Sequence, residues 1–304
     1  MKTSFKSMTS VLLLAFMVGC NGNPMTVKEA HGIGKTTIFV EESFKPLFDT
    51  SIYTFEGQNP LANITAKYTT EEGAIQAFFE KKTKMICITR EFTKAEKAKL
   101  LKSQIEVRSD KIAIDAVTLI VNPANPDSTI TLAKLKRILS GQDTVWNGLK
   151  TGINVVYDNA ASANFVYLRK LTGNVPIAKN VFAVKSNAEV INYVRNNKSA
   201  IGIIGVNWVS DEDDPQTLRF RDGISVVAVA ETPEKGYFKP YQSYIYTKEY
   251  PLTRDVWMIN RGARTGLNAG LVLFLTGEKG QLIVQKSSLI PANMVARMIE
   301  IKSE

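Results

Sequence analysis

Short polar loops that join a strand to a helix recur along this chain, and their residue types suit the binding of an anion. Free backbone N–H groups at a helix N-terminus form an anion site, and the hydroxyls of Ser43, Thr70, Thr89 and Ser162 add donors beside them. Arg90 supplies a guanidinium that binds an oxyanion with two parallel hydrogen bonds. For any single loop an ordinary helix N-cap is the simpler interpretation. Several such loops at shared sheet edges favour a common pocket.

Catalytic constellations are missing from the sequence. The only histidine is His31 and the only cysteines are Cys20 and Cys87, so neither a Ser-His-Asp nor a Cys-His arrangement is expected, and a zinc cluster is absent. The acidic run Asp211–Asp214 lacks the spacing of a calcium-binding loop. The sequence contains no phosphate loop, dinucleotide fingerprint or nucleophile elbow. We therefore predict a protein that is not an enzyme and that uses neither a metal nor a cofactor.

The N-terminus has the zones of a secretory signal. Two lysines precede an eight-residue apolar run, Val11–Val18, and a Gly-Cys pair closes it. Eight helical residues span about 12 Å, far less than the ~30 Å hydrocarbon layer of a membrane, so residues 1–19 predict a cleaved signal peptide. The ending Met17-Val18-Gly19-Cys20 resembles the lipobox of bacterial lipoproteins, with Cys20 as the lipidated residue. A plain signal peptide with an incidental cysteine is the alternative.

Composition and charge describe an ordinary globular chain with a basic excess. The 304 residues are 44% apolar and 22% charged, with a net charge of +9, which excludes a disordered chain and a multi-span membrane protein. The lysines are spread over many helices, so we expect attraction of an anionic solute rather than nucleic-acid binding. Residues 20–35 lack periodicity and predict a tether that includes His31. Cys87 lies in an apolar run and is predicted to be a buried, inert thiol.

Apolar runs alternate with helix-period segments along the rest of the chain. Predicted strands cover residues 37–40, 63–68, 85–89, 112–122, 154–157, 200–205, 224–230 and 244–247. Predicted helices cover residues 43–50, 71–79, 94–101, 131–139, 160–171, 187–195, 267–275 and 280–286. This alternation predicts an α/β protein with mostly parallel sheets that bind ligands at the carboxyl ends of their strands. The strand at 112–122 exceeds the usual five or six residues and predicts a strand shared by two lobes.

The chain resembles the phosphate-type substrate-binding proteins of bacterial ABC importers. The motifs that carry this resemblance lie at residues 112–126, 132–141, 146–147, 200–205, 250–252 and 274–281. The resemblance covers most of the chain that follows the signal peptide. It implies the type II periplasmic-binding-protein fold, in which two α/β lobes, each a mostly parallel sheet flanked by helices, hold the ligand in the cleft between them.

The resemblance also implies a domain organisation. It places the signal peptide at residues 1–19, the tether at 20–35, lobe 1 at 36–120 and 240–304, and lobe 2 at 121–239. The long strand near Ile112 to Val121 and the segment near Tyr237–Ile245 are expected to cross between the lobes.

Binding positions of the family carry over unevenly to this chain. The resemblance implies ligand contacts at Ser43, Phe44, Thr70, Thr89, Arg90, Asp158, Ser162, Ala163 and Asn164. A family acid is replaced by Arg90 and a family arginine by Asp158, so the sum of the two charges is kept, while Ala163 and Asn164 replace a glycine and a threonine. We hypothesise that Arg90 contacts the anion and that Asp158 orients Arg90 or accepts the proton of a protonated oxyanion. A structural Arg90–Asp158 ion pair across the cleft is the alternative.

These observations predict a lipid-anchored solute receptor of the bacterial cell envelope. It would capture an inorganic oxyanion, expected to be phosphate, by closure of two lobes, and deliver it as a monomer to ABC permease subunits. A same-fold lipoprotein that acts as a sensor or adhesion module is the alternative, favoured by the departures at Asp158, Ala163 and Asn164. Molybdate or a small organic acid stays open as the ligand, and either the inner or the outer membrane stays open as the site of the anchor.

Overall fold

The structure is a computed structural model that describes residues 30–209, 218–219, 221–262 and 265–293. The predicted signal peptide, the lipidation at Cys20, most of the predicted tether and the acidic run Asp211–Asp214 lie outside the described residues. The strands are β1 Ile33–Glu41, β2 Leu61–Thr69, β3 Met85–Ile88, β4 Val107–Val121, β5 Thr129–Thr131, β6 Asn154–Tyr157, β7 Val181–Ala183, β8 Ala200–Gly205, β9 Ser225–Val226, β10 Ala228–Ala230, β11 Thr253–Arg261 and β12 Ile290–Pro291.

Helices follow most of the strands. They are α1 Lys45–Gln58, α2 Glu71–Phe79, α3 Lys94–Lys102, α4 Leu132–Leu139, α5 Ala163–Leu171, α6 Asn187–Asn196, α7 Gln242–Tyr246, α8 Leu267–Thr276 and α9 Glu278–Lys286. In the described ranges, no helix combines the length and the apolar character that crossing a membrane requires. The predicted α/β class is confirmed.

One strand, β4, hydrogen-bonds to two different parts of the sheet. Its residues from Val107 to Ala116 pair antiparallel with β11, and those from Val117 to Val121 pair antiparallel with β8. The strand order is β2-β1-β3-β11-β4-β8-β6-β7, with β9 and β12 also on β4. We call the side from β2 to β11 lobe 1 and the side from β8 to β7 lobe 2. The predicted long strand is confirmed and begins earlier, at Val107, whereas the predicted residue boundaries of the lobes stay predictions.

Strand direction brings a particular set of loops to the junction of the lobes. In lobe 1, β1, β2 and β3 are parallel and β11 is antiparallel to β3, so three carboxyl ends lie beside the start of β11. In lobe 2, β6, β7 and β8 are parallel and β8 is antiparallel to β4, so their carboxyl ends lie where β4 enters the lobe. We call this junction the interlobe edge. It consists of the loops after Glu41, Ile88, Tyr157 and Gly205 together with the start of β11 at Thr253.

Buried apolar positions explain the order of these elements. Strands β3 and β8 are buried at every residue, as expected for central strands of a sheet that helices cover on both faces. Helix α4 buries Leu135, Ile138 and Leu139, whose spacing forms one face of a helix. These elements, which the sequence predicts from continuous apolar runs and from helical periodicity, therefore contribute to the core.

Helix ends use residue types that favour the start or the end of a helix. The hydroxyls of Thr70, Thr93 and Ser186 accept hydrogen bonds from backbone N–H groups in the first turns of α2, α3 and α6, which satisfies donors that a helix start leaves free. Gly141 and Gly173 follow α4 and α5 with φ of +75° and +83°. Glycine adopts this left-handed conformation without steric cost.

Two predictions of strands are wrong in detail. The segment 244–247 belongs to helix α7 and the turn after it, although its aromatic and β-branched residues favour a strand. The helical turn buries Ile245 and leaves Tyr246 largely exposed, which shows that packing overrides propensity here. The predicted strand 224–230 is split, because β9 pairs with β4 whereas β10 pairs with β5.

The predicted tether also ends earlier than expected. Strand β1 begins at Ile33, so residues 33–35 pair with β2. The His31 carbonyl oxygen lies so close to Gly270 of α8 that a Cβ at Gly270 would stand 1.7 Å from it. The residues before the strand therefore pack against lobe 1, and the absence of a side chain at Gly270 makes the contact possible.

We expect Gly202→Ala to lower the free energy of unfolding. A Cβ at Gly202 would lie 2.8 Å from methyl groups of both Val190 and Val194, and overpacking of this kind costs about 1–3 kcal/mol. Gly57→Ala in α1 is the matched control, because its Cβ would meet nothing within 4 Å and alanine is favoured in helices by about 0.5–1 kcal/mol. Urea unfolding measures both. Equal stability of the two variants would contradict the close packing of β8 against α6.

Candidate functional site

The loop after β1 places two buried polar side chains at the interlobe edge. Ser43 lies in a short 3₁₀ turn, Glu42–Phe44, that leads into α1. Glu41 Oε2 accepts a hydrogen bond from Ser43 N at 3.1 Å, and both side chains are fully buried. The other carboxylate oxygen, Glu41 Oε1, has no hydrogen-bond partner in the described part of the chain. The predicted contact residues Ser43 and Phe44 therefore lie at this edge, beside a buried acid that the sequence predictions omit.

The loop after β6 surrounds a buried carboxylate. Asp158 accepts hydrogen bonds from the Ser162 hydroxyl, from Asn159 Nδ2 at 2.8 Å and from Asn164 Nδ2 at 3.4 Å. The Ser162 hydroxyl oxygen also caps α5, since it accepts from Phe165 N at 3.2 Å. Helix α5 begins at Ala163, not at Ala160 as predicted. The predicted residues Asp158, Ser162, Ala163 and Asn164 are thus buried together.

Direct hydrogen bonds join the two lobes across this edge. Asn164 Nδ2 donates to Ser43 Oγ at 2.9 Å, and Trp208 Nε1 donates to the Ser43 carbonyl oxygen at 2.9 Å. Asn187 Nδ2 at the start of α6 donates to Glu42 Oε2. The structure therefore shows the lobes closed on each other, with Ser43 of lobe 1 bonded to Asn164 in the first turn of α5 and to Trp208 in the turn after β8.

The other predicted contact residues use their polar groups within lobe 1. Thr70 caps α2, and both the backbone N–H and the hydroxyl of Thr89 donate to Glu71 Oε2. Arg90 donates to both oxygens of Glu96, at 2.8 and 2.9 Å, and its Nε lies 3.3 Å from Glu71 Oε1. The predicted ion pair between Arg90 and Asp158 is therefore wrong. The hydrogen bonds from Arg90 instead lower the pKa of Glu96 to about 2.

A buried arginine at the start of β11 supplies a cation that the sequence predictions omit. Arg254 lies opposite Asp115 of β4, and its Nε and Nη2 each lie 2.8 Å from Asp115 Oδ2. Its guanidinium carbon lies 5.5 Å from the centre of the Phe44 ring. The side chain is only 4% exposed, and Nη1 has no hydrogen-bond partner among the residues that the structure describes. Arg254 therefore holds a spare donor at the interlobe edge.

Buried polar atoms without a hydrogen-bond partner concentrate at this edge. Within the described residues, they include Glu41 Oε1, Asp115 Oδ1, Asn164 Oδ1, Asn187 Oδ1, Arg254 Nη1 and both amide atoms of Asn207. Asn207 follows β8 and is 1% exposed. Buried polar groups in proteins are normally paired, so a group of unpaired ones indicates a place where another molecule supplies the partners. Most of these atoms are acceptors, which favours an occupant that donates hydrogen bonds as well as accepting them.

Carboxyl groups of both lobes crowd around Arg254. Burial raises the pKa of Glu41 well above its usual value, and the nearby Arg254 charge opposes this shift. Burial also raises the pKa of Glu42, to about 7, with a further contribution from the Asp158 charge. The pKa of Asp158 is raised by burial, against the hydrogen bond from Ser162. Closure of the lobes therefore favours protons on these carboxyl groups.

Metal binding has no support at this edge. Within the described residues, no group of three or more His, Cys, Asp or Glu side chains is arranged to hold a metal ion. The chemistry available is hydrogen bonding from Arg254, Ser43 and amide groups to a small polar occupant, with carboxyl oxygens as acceptors.

We expect Glu42→Gln to stabilise the protein at pH 8 and to have little effect at pH 4.5. The folded protein retains the Glu42 proton up to about pH 7, whereas an unfolded glutamate releases it near pH 4.3. Stability of the wild type therefore falls as the pH rises through this interval, and removal of the carboxyl group should recover up to about 4 kcal/mol. Urea unfolding across this pH range measures the difference. Glu72→Gln, at an exposed position in α2, should not show this gain.

Comparison with known proteins agrees with the two-lobed geometry. A family model described as a PBP superfamily domain matches residues 4–277. The chain is 26% identical over 212 residues to the phosphate-binding protein PstS of Staphylococcus aureus strain USA300, across 67% of this chain. The match spans 62% of the length of that relative.

Solved structures share the fold. A putative phosphate ABC transporter substrate-binding protein with bound phosphate from Clostridium perfringens aligns over 85% of this chain and 100% of its own, with a TM-score of 0.72 and 21% identity. An ABC-type phosphate transport receptor from Vibrio cholerae aligns over 84% of this chain and 99% of its own, with a TM-score of 0.64 and 20% identity. Because the family model covers most of the chain, this protein belongs to the PBP superfamily.

Proposed function

We propose that this chain captures phosphate, as a protonated oxyanion, in the cleft between its lobes. The observation that carries the proposal is the set of buried, unpartnered polar atoms that both lobes bring to the interlobe edge. The names of the Staphylococcus relative and of the Clostridium and Vibrio structures support phosphate as the ligand. No catalytic step is proposed, since the role is binding and release.

The cation that holds the anion is Arg254 in this proposal. Arg90 directs its guanidinium nitrogens to Glu96 and Glu71, whereas Arg254 keeps Nη1 free at the edge where Ser43 and Asn164 meet. Asp115 holds the Arg254 side chain from one side. A planar guanidinium fixed in this way is well suited to the oxygens of a tetrahedral anion.

The carboxyl groups of Glu41 and Asp158 set the protonation state of the ligand in this proposal. Where the positive charge of Arg254 keeps such a carboxylate ionised against the effect of burial, a second negative charge 4 Å away costs about 4 kcal/mol at an effective dielectric of 20, which disfavours an anion without a proton. A phosphate that carries a proton donates it to an oxygen such as Glu41 Oε1, which is buried and unpartnered. Sulfate carries no proton near neutral pH, so the cleft should prefer phosphate.

Attachment to a membrane and delivery to ABC permease subunits complete the proposed role. The lipobox-like sequence at Cys20 supports a lipid anchor in the cell envelope, and the similarity in fold to the Vibrio transport receptor supports delivery to a permease. A monomer satisfies this role, because each chain contains both walls of the cleft.

A sensor or adhesion module of the same fold is the second candidate. It is favoured by one observation, namely that Asn164 and Trp208 of lobe 2 bond directly to Ser43 of lobe 1. Side chains of the protein itself thus occupy positions that a ligand would need, and a receptor must exchange these bonds for bonds to its ligand.

Calorimetry with phosphate and sulfate on the purified protein tests the proposal. Phosphate should bind and sulfate should bind much more weakly. Arg254→Lys keeps a positive charge for Asp115 but removes the guanidinium, so phosphate affinity should fall about tenfold or more. Arg90→Gln should change the affinity little, because the Arg90 nitrogens are already used by Glu96 and Glu71.

The outcomes separate the alternatives. Loss of affinity in Arg90→Gln with none in Arg254→Lys would return the anion to Arg90, as the sequence predicts. Absence of phosphate binding by the wild type, with no change in its thermal stability at millimolar phosphate, would reject capture of phosphate and favour the sensor or adhesion role.

A further inference from the structure

A second cavity lies at the end of the lobe 1 sheet that is opposite to the interlobe edge. Its walls are the start of β1, the turn before β3, the turn before β4, the end of β11 and the start of α8. The cavity has a volume of about 700 Å³, which lies in the range of small-molecule sites. Because β1 and β11 run in opposite directions, the start of one and the end of the other share this edge, away from Ser43 and Arg254.

The walls of this second cavity are strongly basic. Five cationic side chains line it, those of Lys35, Lys81, Lys82, Lys84 and Arg261, and Glu106 is the one acidic residue among the described lining residues. Lys82 pairs with Glu80 at 2.6 Å. The other four cations have no acidic partner within the described ranges. Like charges gathered in this way repel one another and attract an anion.

Arg261 is held in place with a donor to spare. Its guanidinium carbon lies 4.7 Å from the centre of the Phe78 ring, and its Nη2 donates to the Phe78 carbonyl oxygen. Its Nε is buried and has no hydrogen-bond partner within the described ranges. A guanidinium fixed by an aromatic ring and a carbonyl group is well suited to a phosphoryl oxygen. The cavity therefore combines one positioned guanidinium with several lysines around its rim.

We propose that this second cavity binds a phosphorylated polyanion with more than one negative charge. The cations come from separate segments of the chain, so a single tetrahedral ion would reach only some of them, whereas a larger ligand engages the set. This site is independent of the cleft proposed for phosphate capture, since no residue is shared between them. The ligand chemistry is the same for a soluble phosphorylated compound and for the headgroup of an anionic phospholipid.

The position of the N-terminal segment makes the phospholipid a suitable source. Lys35 of β1 lines the cavity, and the described chain begins nearby at Ala30. A lipid anchor at Cys20 would lie ten residues before Ala30, within about 35 Å at full extension. Each lysine close to an anionic membrane surface raises the affinity for the membrane by about tenfold or less. Several lysines together would therefore hold the face of lobe 1 that contains the second cavity against the bilayer.

The test compares two double variants of the full-length chain. Lys81→Gln with Lys84→Gln removes two exposed cations from the cavity, and Lys179→Gln with Lys198→Gln removes two exposed lysines from lobe 2. Calorimetry with tripolyphosphate measures a soluble source. Co-sedimentation with mixed phosphatidylcholine and phosphatidylglycerol vesicles, relative to phosphatidylcholine alone, measures a headgroup source.

We expect the cavity variant to lose about tenfold or more in affinity for at least one probe, while the lobe 2 variant keeps wild-type affinity. Loss with tripolyphosphate alone identifies a soluble ligand, and loss with mixed vesicles alone identifies a headgroup. Equal affinity of the cavity variant and the wild type for both probes would overturn the proposal. Equal losses in the two variants would also overturn it, because they would indicate a general effect of net charge.

Discussion

The whole interlobe edge depends on one continuous strand that hydrogen-bonds to both lobes. β4 changes partner between Ala116 and Val117, from β11 to β8. Asp115 lies just before this change, and Arg254 lies opposite it at the start of β11. The ion pair is therefore fixed to the strand that both lobes share, and it holds a cation at their junction.

In the closed arrangement of the lobes, polar groups at the interlobe edge are buried where water cannot form hydrogen bonds with them. Each buried polar group without a partner costs about 1–3 kcal/mol, so the atoms of Glu41, Asn187, Asn207 and Arg254 that lack partners work against the closed arrangement. The direct bonds from Asn164 and Trp208 to Ser43 work in its favour. A ligand that supplies the missing partners would add its contribution to the same closed state, which is how binding and lobe movement become coupled.

Much of the scaffold could be predicted from the sequence, because its signals are local. Strands β6 and β8 and the caps Thr70, Thr93 and Ser186 follow from apolar runs and from the chemistry of helix starts. β11 is not among the predicted strands, although it contains the short apolar run Val256–Ile259, and Arg254 precedes this run without a recognisable motif. Its position between β3 and β4 in the sheet results from pairing between distant parts of the chain, which no local sequence pattern indicates.

The difference between local signals and long-range contacts also explains which residues of the candidate site could be predicted. Ser43, Asp158, Ser162 and Asn164 could be predicted because each follows a strand directly along the chain. The partners of Arg90 could not, because the choice between Asp158 and the nearer Glu71 and Glu96 depends on side-chain geometry. The residue types predicted that a guanidinium would contact the anion. Only the fold distinguishes Arg254, which has an unpaired nitrogen among the described residues, from Arg90, whose nitrogens are paired.

The place of β11 in the sheet also determines the order in which the protein can form as it is synthesised. Strands β4, β6, β7 and β8 are all present once the chain reaches Gly205, so lobe 2 can assemble its sheet early. Lobe 1 cannot, because β3 and β4 are separated by β11, which ends at Arg261. Until β11 has been synthesised, the edges of β3 and β4 that it later covers are unpaired in nascent chains. Unpaired strand edges are templates for aggregation, so a chaperone would be of most use during this interval.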